Sequence, residues 1–176
     1  MMSGAIDELQ HELGALLAGL TVEQVQKRPA ARAEAWSVQQ IAEHLLRTYD
    51  LTLGIFEERL LKGRCTKAKP TMQQRLAQWG ITRLGYFPRG RKAPEQVTPQ
   101  AVLPAESGYE IFARLTARLA ALQTIFVEAE TAFGQRRCVS HMVLGPMSVE
   151  QWRRFHAVHG EHHLKQMRAI RSEMGL

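Results

Sequence analysis

The sequence predicts an all-α fold, a four-helix bundle. Apolar residues recur at three- and four-residue spacing along four long segments. Ser/Thr-x-x-Glu/Gln signatures open the later of these segments. No convincing period-two alternation exceeds four residues, which argues against a sheet.

The first helix is expected from Ser3 or Gly4 to Leu17, with Ile6, Leu9, Leu13, Leu16, Leu17 and Leu20 on one stripe. Gly19 is its stop. Thr21-Val-Glu-Gln24 is a capping box opening a short turn that Pro29 ends. The second long helix has Ser37 as N-cap and Gln40 three residues later, and Trp36 is placed to staple onto Ile41. It runs to Leu61, with Gly63 behind it. A weaker helix fits 71–84. Six glycines and prolines between 85 and 106 specify a loop, with room for short extended pieces. The third long helix opens at Ser107-Gly-Tyr-Glu110 and ends at Phe133. A loop over 134–147 leads to the fourth, which opens at Ser148-Val-Glu-Gln151 and ends near Met174. These elements make one domain over residues 1–176, long enough to bury a proper core. The up-down order of the helices stays open at this stage.

Composition narrows the class. Hydrophobic residues are 45% and charged residues 23%, ordinary for a folded soluble chain and unlike a disordered one. No apolar run reaches the ~20 residues of a membrane span, and the acidic N-terminus does not read as a signal peptide. The two cysteines, Cys65 and Cys138, lack metal-site spacing, and a single bridge cannot be read from sequence. The expectation is two unpaired thiols in a reducing compartment, hence the cytoplasm.

The net charge of +6 comes from one segment. Arg59 to Lys92 carries ten Lys/Arg and no Asp/Glu, together with Trp79, Tyr86 and Phe87. A solvated helix face is the plain explanation. Such a segment also suits single-stranded nucleic acid, an anionic membrane surface or the steering of an acidic substrate. No recognised binding motif supports nucleic acid. Trp79 is expected to pack on the bundle, because Met72, Leu76 and Trp79 share a helical face.

Histidine carries the strongest local signal. Of seven, His156, His159, His162 and His163 fall within eight residues of the last helix. His159 and His163, one turn apart, share an apolar stripe with Trp152, His156, Gln166 and Ile170, so the pair faces the interior. Two neutral imidazoles so placed can clamp one divalent ion. A third ligand is needed, and His44 is the natural candidate, on an inward face with Ile41, Thr48, Leu51 and Ile55. Three protein ligands leave a position for water or substrate, as in catalytic zinc sites. The alternative is that these are hydrogen-bonded core histidines. Zn²⁺ is the first choice of ion, with Ni²⁺, Fe²⁺ and Cu²⁺ also suited to nitrogen ligands. His156 and His162 are candidate general bases. His141, in the loop before the last helix, is read as a surface or loop-capping residue.

Other chemistries fail on particular residues. Di-iron bundles need Glu-x-x-His pairs, and the residues three before the histidines are Ile41, His156, His159 and Gly160. The glycine spacing Gly80 to Gly85 matches a P-loop, but Tyr86-Phe87 stands where Lys-Ser/Thr is required.

Several short motifs in order then resemble the DinB/YfiT-like superfamily. They are Trp36-Ser37 after Pro29, Ile41-Ala-Glu-His44-Leu45, the Gly145-Pro146-Met147-Ser148 lead-in with His141, and His159-x-x-His162-His163-Leu164-x-Gln166. The resemblance implies a four-helix bundle, often a homodimer, with a metal held by His44, His159 and His163. It also implies, for members of known activity, thiol-dependent transfer or isomerisation in which the metal activates a small thiol. A small-molecule substrate, such as an anionic thiol, is the partner expected. The alternatives that stay open are a hydrolase-like enzyme, a non-catalytic metal- or ligand-binding protein related to stress, and a helical interaction module with structural histidines.

Overall fold

A computed structural model describes residues 3–29, 34–87 and 92–176. Residues Pro88, Arg89, Gly90 and Arg91 of the basic segment lie outside the described residues. Six α-helices account for most of the described chain: α1 (Ser3–Leu17), α2 (Val22–Gln26), α3 (Val38–Leu61), α4 (Met72–Leu84), α5 (Gly108–Phe133) and α6 (Val149–Glu173). A short 3₁₀ turn spans Glu95–Val97.

Local chemistry explains the starts. Thr21, Ser37, Ser107 and Ser148 each form a reciprocal capping box with Gln24, Gln40, Glu110 and Gln151. Thr71 and Gln74 make another at the head of α4. Each satisfies two backbone donors that the first turn leaves free.

The long helices form a ring. α1 packs on α5 and α6, and α3 packs on the same two, so α1 and α3 face each other across the bundle. Leu13, Leu17, Leu45, Tyr49, Phe56, Leu115, Leu119, Phe126 and Trp152 fill the centre. Close approach is possible where α5 begins: a Cβ on Gly108 would sit 2.1 Å from the Leu17 carbonyl oxygen. The Gly108 N–H donates to the Leu20 carbonyl there, at 2.9 Å.

Four expectations need correction. The stretch 134–147 is not only loop: β1 (Val139–His141) and β2 (Gly145–Met147) pair antiparallel, Val139 opposite Met147. Three residues per strand are too few for alternation to be visible. Cys65 and Cys138 are not free but joined in a disulfide, reinforced by the Thr66 N–H on the Cys138 carbonyl at 3.1 Å. The partners are 73 residues apart in sequence, so only the tertiary fold brings them together. Unpaired thiols therefore no longer support a reducing compartment. Leu51 is exposed, because the inward stripe of α3 runs through Tyr49, Thr52 and Phe56. Finally, Met72, Leu76 and Trp79 do share a helical face, but it points outward, with Trp79 55% exposed. The face of α4 that meets the bundle carries Gln78 and Ile81. Buried Gln78 Nε2 donates to the carbonyls of Leu144 (2.6 Å) and Pro146 (3.0 Å), while its Oε1 accepts from Arg137 (2.6 Å). A polar side chain thus anchors α4 to the hairpin, against the rule that apolar faces turn inward.

Among the described residues, no helix is long and apolar enough to cross a membrane.

Candidate metal centre

α6 presents His159 and His163 one turn apart on its buried side, and α3 brings His44 to meet them. All three are buried. Their Nε2 atoms converge: His44 to His159 at 3.1 Å, His163 to His159 at 3.0 Å. These three residues can hold a metal ion, their candidate ligand atoms all lying within 4.8 Å of one another. Nitrogens bound tetrahedrally to zinc at ~2.0–2.1 Å stand about 3.4 Å apart, so little adjustment is needed.

The hydrogen bonds on the far ring atoms decide the protonation. His44 Nδ1 meets the Val97 carbonyl at 2.8 Å, and only a protonated Nδ1 can donate to it. Its Nε2 then offers a lone pair. His163 Nδ1 meets Gln166 Oε1 at 2.9 Å, with the same consequence. Gln166 Nε2 lies 3.3 Å from His162 Nε2, which fixes the amide's orientation consistently. Two lone pairs therefore point at His159, whose single ring proton cannot fully satisfy both. His159 Nδ1 is itself buried without a partner among the described residues. A cation at the convergence resolves this arrangement.

Electrostatics agree. Burial pushes the pKa of His44 down, against a raising contribution from the Val97 carbonyl. Burial, then the neighbouring histidines, hold His159 well below the ordinary value. Burial takes His163 down to about 3. All three are neutral at pH 7, the form that binds metal.

The surroundings are aromatic. Phe155 stacks on His159 at 5.4 Å between ring centres, and Phe87 lies 5.0 Å from the same ring and 5.1 Å from His162. Trp36 lies 5.1 Å from His44. His162, half-buried, sits beside His163 at 5.1 Å between rings, on the solvent side of the cluster. His156 is fully buried deeper in the core, its Nε2 3.1 Å from Thr52 Oγ1 and its Nδ1 unpartnered among the described residues. Burial takes its pKa down to about 3. His141 caps its own loop, Nδ1 accepting from the N–H groups of Val143 (3.0 Å) and Leu144 (3.2 Å).

The places of Val97, Phe87 and Thr52 beside the histidines were not legible in the sequence. Val97 acts through its backbone, which leaves no signal in residue type. Phe87 lies in a loop with no periodicity to place it. Thr52 alone was findable, as a polar residue on the inward stripe two turns beyond His44.

Among known families, the DinB superfamily matches the chain over residues 5–167. No curated protein and no solved structure gives a significant match.

Proposed function

This chain belongs to the DinB superfamily, and on that footing we propose that it is a metal-dependent enzyme acting on a small thiol or a hydrolysable substrate. His44, His159 and His163 would hold one divalent transition ion, with zinc the first choice. The observation that carries this reading is the tautomer set: Val97 and Gln166 commit two Nε2 lone pairs to a buried point that His159 also faces. A structural core would bury hydrogen-bonded partners there instead.

A bound divalent ion supplies Lewis acidity, lowering the pKa of a thiol or water at neutral pH. The chain's own residues do the rest. Val97 and Gln166 hold the ligand rings in register, as outer partners of metal-bound histidines do. Phe87, Phe155 and Trp36 keep bulk water from the cluster. His162, at the solvent side, is the residue we assign to accept the substrate's proton. His156, sealed against Thr52, is the second choice for that task. The cationic segment around 59–92 would draw an anionic thiol toward the site.

The test is metal content by plasma mass spectrometry on protein purified without a histidine tag. About one equivalent of a single transition metal, lost in His44→Ala and His163→Ala but kept in His11→Ala, supports the reading and justifies screening thiol transfer and hydrolysis. Equal content in all of them, or none after zinc and nickel reconstitution, overturns it.

A further inference from the structure

We infer that the outer face of α4 is a docking surface for an anionic phospholipid bilayer. Met72, Leu76 and Trp79 follow one another at helical spacing along the side of α4 that faces away from the bundle, and are 72%, 64% and 55% exposed. Arg75 and Arg83 flank this stripe and are exposed, as are Lys67 and Lys69 in the approach to the helix. Among the described residues, none of these four cations pairs with a carboxylate. No acidic residue occurs anywhere from 59 to 92.

The stripe cannot simply turn inward. The opposite face is fixed by buried Gln78 and Ile81, and the disulfide at Cys65 ties the lysine-bearing approach to Cys138, the residue just ahead of β1. α4 is therefore held with its apolar side in solvent, where large side chains at this density call for a partner. Charge chooses among partners. A second copy would place Arg75 and Arg83 against the same cations, with no carboxylate in the segment to relieve them. Bases of a single-stranded nucleic acid would stack on Trp79 but give Met72 and Leu76 nothing to pack on. An anionic bilayer satisfies every part: Met72 and Leu76 enter the acyl boundary, Trp79 takes the interfacial position, and the arginines and lysines meet phosphates. The geometry is that of a helix lying in the interface, which needs no spanning segment.

The experiment is vesicle flotation with the full chain at low salt. Vesicles of phosphatidylcholine are compared with vesicles in which about a quarter of the lipid is phosphatidylglycerol. The expected result is flotation with the anionic vesicles alone, reversed by salt. Trp79→Glu and Leu76→Glu should abolish it while leaving the far-UV circular dichroism unchanged, since both side chains are mostly in solvent. Arg75→Gln and Arg83→Gln should each weaken binding roughly fivefold. The inference is overturned if the chain stays unbound, or binds neutral vesicles equally. It is overturned too if sedimentation shows a dimer that Trp79→Glu dissociates, or if oligonucleotides bind this face more tightly than the vesicles do.

Discussion

The Nε2 atoms of His44 and His159 lie 3.1 Å apart across 115 residues of chain, with the lone pair of His44 committed to the gap by the Val97 carbonyl. The gap joins α3 to α6, so whatever fills it ties the two helices together. An ion that binds only the folded state adds about 4 kcal/mol at a thousandfold excess over its Kd. For a chain of this size that is a shift in Tm of about 10 °C. Chelation of the metal-loaded protein should lower the calorimetric Tm by this order, and His163→Ala should show no chelator effect. An unchanged Tm on chelation of a protein shown to contain metal would sink the coupling.

Gln166 is mostly exposed, yet its Oε1 holds His163 Nδ1 at 2.9 Å. Losing an outer partner of a metal-bound histidine costs typically ~10–100-fold in metal affinity. Gln166→Ala should weaken zinc binding by that range in competition with a chromophoric chelator. Its Tm in the metal-free form should stay that of wild type. A drop in metal-free Tm with unaltered affinity would make Gln166 a structural residue instead.

The parts of this arrangement that were legible are those written in side-chain spacing. Helix starts follow from Ser37, Ser107 and Ser148 because a cap is a local hydrogen bond between residues three apart. His159 and His163 could be paired because one helical turn fixes their angle. What depends on distant chain was not legible. The Cys65–Cys138 bond, the Val97 carbonyl on His44 and the Phe87 ring on His159 are all set by how loops return to the bundle. The orientation of α4 was misread for a different reason. Gln78 reaches two backbone carbonyls that only the hairpin supplies, and that outweighs the apolar stripe of Met72, Leu76 and Trp79.

Buried neutral histidines make the metal-free protein acid-sensitive. Burial takes His156 and His163 down to about 3 and His141 down to about 4, from 6.5 in the unfolded chain. Between these limits the unfolded state binds more protons than the folded one, so stability rises with pH. The stability is whole above about pH 6.5 and falls steadily as the pH drops toward 3. Urea midpoints of the metal-free protein measured from pH 7.5 to pH 4 should therefore hold level down to about pH 6.5 and decline below it, with the slope already evident by about pH 5.5. A flat midpoint down to pH 4.5 would mean that these rings accept protons in the folded state.

Two glycines separate backbone from side-chain crowding. A Cβ at Gly108 would meet the Leu17 carbonyl oxygen at 2.1 Å, and a Cβ at Gly160 would meet Leu9 Cδ2 at 2.4 Å. The first obstacle is backbone, fixed also by the Gly108 bond to Leu20. The second is the end of a flexible side chain, and alanine favours the helix interior over glycine by about 1 kcal/mol. Gly108→Ala should cost about 2–3 kcal/mol by overpacking. Gly160→Ala should stay within about 1 kcal/mol of wild type. Denaturant titration of both variants decides it, and an equal cost would refute the distinction.

Gln78 is the polar hinge pin between α4 and the β1–β2 hairpin. Gln78→Leu keeps the bulk but removes the donor from the Leu144 and Pro146 carbonyls and the acceptor from Arg137. An unsatisfied buried acceptor costs about 1–3 kcal/mol, so two should cost about 2–6 kcal/mol, less whatever water recovers. Gln78→Glu separates the two ends of the side chain. It improves the pairing with Arg137 but turns both donated bonds into contacts between oxygens, so it should be no more stable than the leucine variant at neutral pH. Amide exchange gives the location as well as the amount: α4 and residues 139–147 should lose protection first, while the centre of α5 keeps it. If Gln78→Leu is neutral and exchange in α4 is unaltered, then Ile81 and the Gln74 bond to the Val143 carbonyl hold this helix and its outward stripe has another cause.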